Sequence, residues 1–70
     1  MIINVKDNQL KKTRITKGLS VKSLAILCPL SFATIIKVED GKVNPNPATA
    51  KKICDALEVN FDDIFELAEV

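Results

Sequence analysis

The sequence predicts an all-α fold of five short helices, with a helix, a tight turn and a second helix at its centre between Ser20 and Glu39. Three observations carry this. Helix-capping residues recur at helix-length intervals, at Ser20, Ser31, Asn46 and Asn60. Between them apolar residues recur at three- and four-residue spacing, as along Ala50, Ile53, Cys54 and Leu57. Chain breakers separate the runs: Gly18, Pro29, Gly41 and the pair Pro45 and Pro47.

Taken in order, Asn4 is positioned to cap a first helix, with Asp7 three residues on beside its free amides. That helix runs to about Lys17 and stops at Gly18, a residue suited to the left-handed position after a helix. Leu10 and Arg14 lie one turn apart on one face, and Leu19 turns back towards the core. Ser20 caps a second helix, Val21 to about Leu27, whose buried side is Leu24, Ala25, Leu27 and Cys28. Pro29 ends it, because the residue before a proline avoids the helical region. Ser31 caps a third helix, Phe32 to Glu39 or Asp40, with Ile35 and Val38 inward and Gly41 closing it. KVNPN, residues 42–46, reads as a loop. Asn46 followed by Pro47 opens a fourth helix to about Leu57. Asn60 caps a fifth, with Asp63 three residues later and Phe61, Ile64 and Phe65 buried. No strand is expected; Ile2, Ile3 and Val5 make at most an extended lead-in.

Seventy residues are expected to form one domain, 1–70, enough for a helical core to fold alone. With 47 % apolar but 4 % aromatic residues, that core is aliphatic. Cys28 and Cys54 sit among apolar neighbours without any histidine, so they read as buried free thiols and not as metal ligands. Without histidine, a glycine-rich phosphate loop or a metal-ligand set, and with Ser20 and Ser31 used as caps, neither enzyme activity nor a cofactor or metal is expected. No apolar run approaches the ~20 residues needed to cross a bilayer. The N-terminus lacks a signal-peptide pattern. The expectation is a cytoplasmic protein with no membrane partner. Charge is unevenly spread. Residues 1–52 carry all ten bases and three acids, a net of +7, whereas residues 53–70 carry six acids and no base, −6. Such a division suits one face for a polyanion and another turned away from it.

The residues then meet a known pattern. Arg14, the step Gly18-Leu19-Ser20, Leu24-Ala25, Ser31, Ile35, the run Val38-Glu39-Asp40-Gly41-Lys42 with Asn44-Pro45, then Ala56-Leu57 and Phe61-Asp62-Asp63-Ile64-Phe65 are spaced over Leu10 to Leu67. This stretch resembles the Cro and phage-repressor-like helix-turn-helix domains (the XRE class). The resemblance implies a lambda-repressor-like fold that places Phe32 to Glu39 in the major groove of double-stranded DNA. It implies a sequence-specific transcriptional regulator, a repressor of a prokaryote or phage, acting as a homodimer. With no sensor domain in these residues, no small-molecule ligand is expected. It also implies that Arg14 pairs with Glu39, the alternative being Arg14 on a phosphate. By analogy, Phe61, Leu67 and Val70 are candidate dimer-interface residues.

With Ile35 and Val38 inward, Phe32, Ala33, Ile36, Lys37 and Asp40 face outward. The residues expected to meet DNA are Ser31, Phe32, Ala33, Thr34, Ile36 and Lys37, with Lys22, Lys42 and Asn44 on the backbone. Lys11, Lys12, Lys51 and Lys52 lie farther off. No Arg, Asn or Gln lies on the outward strip, so the bidentate base readers are missing. Phe32 and Ala33 can touch a thymine methyl, and Lys37 can donate to guanine or phosphate. Three positions depart from the resembled pattern. Val21 replaces a glutamine that braces the motif on DNA, Asp40 replaces an asparagine, and Pro29 replaces the glycine of the turn. Proline resists positive φ, so the turn is expected to be rebuilt and Pro29→Gly to be tolerated. The competing reading is a protein-interaction module on the same fold, using Phe32 and Ile36 as an exposed apolar pair.

Overall fold

The computed structural model describes residues 1–69. In chain order its elements are β1 (Ile2–Val5), α1 (Gln9–Thr16), α2 (Val21–Leu27), α3 (Phe32–Glu39), α4 (Pro47–Leu57), α5 (Phe61–Ile64) and β2 (Phe65–Ala68). The five expected helices are present. The expectation of no strand is corrected: β1 and β2 pair antiparallel, with Ile3 opposite Leu67 and Val5 opposite Phe65. Period-two alternation puts these four residues on one face. Ile3 and Phe65 are buried in the core, and Leu67 lies at its rim.

The ribbon changes both ends of the chain. Asn4 is not a cap; it lies in β1 opposite Glu66. The first helix starts at Gln9 instead, after Asn8, which adopts φ 55 and makes no side-chain cap. Helix α5 is a single turn, because Phe65 leaves it for the strand. Lys6 fastens the junction, its amide donating to the Ile64 carbonyl at 2.7 Å.

Elsewhere the caps act where they were placed. Ser20, Ser31 and Asn46 each accept from the backbone amide three residues on, at 3.0, 3.1 and 2.8 Å. Asp63 accepts from the Asn60 amide at 3.0 Å, one half of a capping box. The helices close on Leu10, Leu24, Ile35, Val38, Ile53, Leu57 and Ile64, all fully buried, around Phe65. Cys28 and Cys54 are buried free thiols, as expected, and burial raises both above the ordinary thiol pKa. Phe61, expected to be buried, is only half-buried against the core, and one core assignment fails outright. Leu27, expected inside, is 55 % exposed, as is its neighbour Ile26 at 71 %. Helix α2 has only seven residues, and Leu24, Ala25 and Cys28 fill its inner side. Among the described residues no single helix is long and apolar enough to cross a membrane.

Candidate nucleic-acid interface

The interface is built on α2 and α3, which pack against each other with their axes turned by 113°. Pro29 makes the turn. Its φ is 23, and the Leu30 amide donates to the Ala25 carbonyl at 3.0 Å, the long hydrogen bond of a Schellman ending. The turn expected to be rebuilt therefore keeps a positive-φ residue. A proline ring favours a φ of about −65°, so this position is strained, and a proline has no amide to donate to Ile26.

A buried ion pair fixes the far end of α3 to α1. Arg14 Nε lies 2.6 Å from Glu39 Oε2, Nη2 donates to Oε1 at 3.3 Å, and Nη1 donates to the Leu19 carbonyl at 2.8 Å. Both side chains are less than a tenth exposed. The Arg14–Glu39 pairing is thus present. Arg14 has all three of its nitrogens engaged inside the fold and, being buried, is not presented for phosphate. The guanidinium also offsets the unfavourable position of Glu39, an anion at a helix C-terminus.

Ser31 and Thr34 lie together at the N-terminus of α3, but they face each other. Their hydroxyls are 2.7 Å apart while Ser31 also accepts from the Thr34 amide. Phe32, Ala33 and Lys37 are exposed along one side of α3, and Asp40 is exposed at its end. Ile36 is half-buried, so the exposed apolar pair of the competing reading reduces to Phe32, which is 53 % exposed. Lys22 is exposed on the first turn of α2, and Lys42 is exposed after α3, its amide closing that helix by donating to the Lys37 carbonyl at 2.9 Å. Asn44 is exposed but tethered: its Nδ2 donates to Asn4 Oδ1 at 3.1 Å. This brace from the loop to β1 could not be seen in the sequence, because it depends on the ribbon.

The sequence reading also missed a second feature. An open groove of about 530 Å³ lies between α4, α5 and the ribbon, lined by Ile3, Pro47, Cys54, Val59, Phe61 and Leu67 among others. Its signal was the alternation of Ile3 and Val5 at one end of the chain with Phe65 and Leu67 at the other. Phe61 and Leu67, named above as interface residues, both line it; Val70 lies outside the described residues.

Residues 10–64 match the helix-turn-helix family HTH_3. Over 61 residues the chain is 39 % identical to the uncharacterized HTH-type transcriptional regulator RghRB of Bacillus subtilis, covering 86 % of this chain and 44 % of that one. Over 57 residues it is 37 % identical to the HTH-type transcriptional repressor RghR of the same organism, covering 80 % and 42 %. The chain thus spans less than half the length of these curated relatives. Among solved structures it resembles the restriction-modification controller protein C.AhdI of Aeromonas hydrophila, with TM-score 0.77, 30 % identity and 80 % and 85 % of the two chains covered. The segment matched to HTH_3 runs from the first core residue of α1 to the last residue of α5 and takes in the whole of α2 and α3, so this chain belongs to the helix-turn-helix family of its transcriptional-regulator relatives.

Proposed function

We propose that the chain is the DNA-reading domain of a sequence-specific transcriptional regulator, a cytoplasmic repressor that inserts α3 into the major groove. The observation that carries this is the face formed by α2, α3 and the following loop. It is rigidly mounted by the 113° turn and by the buried Arg14–Glu39 pair, and it exposes Lys22, Lys37 and Lys42. Ser31, Phe32, Ala33, Thr34 and Ile36 complete the proposed contact set, with Asn44 on the backbone. Eight residues of α3 extend for about 12 Å, which spans roughly three to four base pairs. That is too short a word to single out one site, so the reading includes a homodimer on two half-sites. The apolar groove holding Phe61 and Leu67 is the surface assigned to the dimer contact.

The test is an electrophoretic shift of the chain's own promoter region at low and at near-physiological salt, with sedimentation of the free protein alongside. A retarded, competitor-resistant, salt-sensitive complex of two chains per site is expected. No complex even at low salt overturns the reading in favour of the protein-interaction module. The half-burial of Ile36 counts against that module, since it leaves only one large apolar side chain on the strip.

A further inference from the structure

The outer strip of α3 is unusual in what it lacks. Its exposed residues are Phe32, Ala33, Lys37 and Asp40. The two hydroxyls at its start, Ser31 and Thr34, bond to each other while Ser31 caps the helix, which leaves a single neutral O–H between them. Lys37 is the one cationic side chain among them that can donate to the guanine O6/N7 edge, and none can pair with adenine as Asn and Gln do. What the leading end of the helix presents instead is apolar. Phe32 and Ala33 are its first two residues, the part that reaches base edges when such a helix enters the groove. The apolar feature of a major-groove edge is the 5-methyl group of a pyrimidine, carried by thymine or by methylated cytosine.

Resting on the DNA-binding reading above, we propose that this strip selects its site chiefly through pyrimidine 5-methyl groups, packed against Phe32 and Ala33, with Lys37 as the one charged base-directed donor. Lys37 is five residues beyond Phe32, about 7.5 Å along the helix. That places its acceptor, a guanine edge, on the order of two base pairs from the methyl. Recognition of this kind depends on burying small apolar groups. It is therefore graded over several positions and does not hinge on one base pair.

The probe is a library of random-sequence duplexes, from which the bound sequence is selected at low salt. Each thymine of the selected half-site is then replaced by deoxyuridine, which removes the methyl and leaves every hydrogen-bonding atom in place. A weakening of about fourfold per contacted methyl is expected, the factor that goes with burying one such group. In the Phe32→Ala variant the thymine-to-uracil ratio at that position should collapse towards one. Phe32 is half in solvent at the first position of its helix, so the variant keeps its fold, and its circular dichroism melt checks this. In a second arm, cytosine and 5-methylcytosine are compared at the same positions. Tightest binding of the thymine duplex assigns the methyl to thymine, tightest binding of the 5-methylcytosine duplex assigns it to methylated DNA, and either supports the inference. A selected site bound specifically, yet indifferent to loss of every methyl, overturns the inference and leaves DNA binding intact. Failure to select any sequence overturns the DNA-binding reading itself and the inference with it.

Discussion

Two kinds of residue in this fold are governed by burial. Arg14 and Glu39 form an ion pair with almost no solvent access, where the cost of desolvating two charges offsets much of their attraction. Removing one partner strands the other charge. Arg14→Ala should therefore cost about 3–5 kcal/mol in chemical denaturation. The apolar pair Arg14→Met with Glu39→Leu should recover most of that loss. If the double variant is no better than the single, the pair is contributing net stability beyond its packing. The thiols give a pH signature. Burial is the largest cause raising Cys28, and burial followed by Asp55 and Asp63 raises Cys54. Each folded thiol thus keeps its proton above the ordinary value of 9.0, where the unfolded chain has begun to lose it. Stability from this source is complete below that value and falls as pH rises, by up to about 1.4 kcal/mol per pH unit for each thiol titrating only in the unfolded state. Stability curves at about pH 8 and pH 10 should separate more for the natural chain than for the Cys28→Ala, Cys54→Ala variant; equal separation would mean that these thiols are not the groups involved.

Four helices end in the same way, with a left-handed residue and a long hydrogen bond folding back across the last turn. The positive-φ residues are Gly18, Pro29, Gly41 and Glu58, at φ 76, 23, 72 and 57. The long bonds run from Leu19 to Arg14, Leu30 to Ala25, Lys42 to Lys37 and Val59 to Cys54. Glycine suits this position and proline does not. Pro29→Gly should relieve strain of about 1–3 kcal/mol and restore an amide for Ile26. Greater freedom of the unfolded chain opposes this by somewhat less. A net gain of about 1 kcal/mol raises the melting temperature of a domain this size by roughly 4–8 °C. An unchanged or lower melting temperature would mean that Pro29 is not strained. These local devices are also what made the helices legible. Caps at Ser20, Ser31, Asn46 and Asn60 and stops at Gly18 and Gly41 act within three or four residues of themselves, so a sequence displays them. Asn4 looked like a cap of the same kind, but its strand partner is Glu66. No local pattern announces pairing across the whole chain. Leu27 misled for a related reason: helical spacing gives the faces of α2, but only the packed neighbours decide how many of its seven residues the core accepts.

At the scale of the molecule, charge was legible and its use is testable. The six acids of residues 53–70 fall at the end of α4, on α5, on β2 and in the residues beside them, whereas α2, α3 and the following loop carry Lys22, Lys37 and Lys42. Lys11, Lys12, Lys51 and Lys52 are equally exposed but belong to α1 and α4. Total charge cannot tell these two sets apart; phosphate contact can, because each neutralised phosphate releases counterions. If each subunit of a dimer places Lys22 and Lys42 on phosphate, about four contacts give a slope of log affinity against log salt of roughly −3.6. Lys22→Ala or Lys42→Ala removes one contact from each subunit and should make that slope shallower by about 1.8, with weakening that is similar on every DNA sequence. Lys51→Ala is the control, since Lys51 sits on α4 within 3.4 Å of Asp55 and lies off the proposed face. Its slope should match that of the natural chain. Equal flattening by Lys51→Ala and Lys22→Ala would remove the distinction between the faces, and an effect of Lys51→Ala alone would move the DNA to α4.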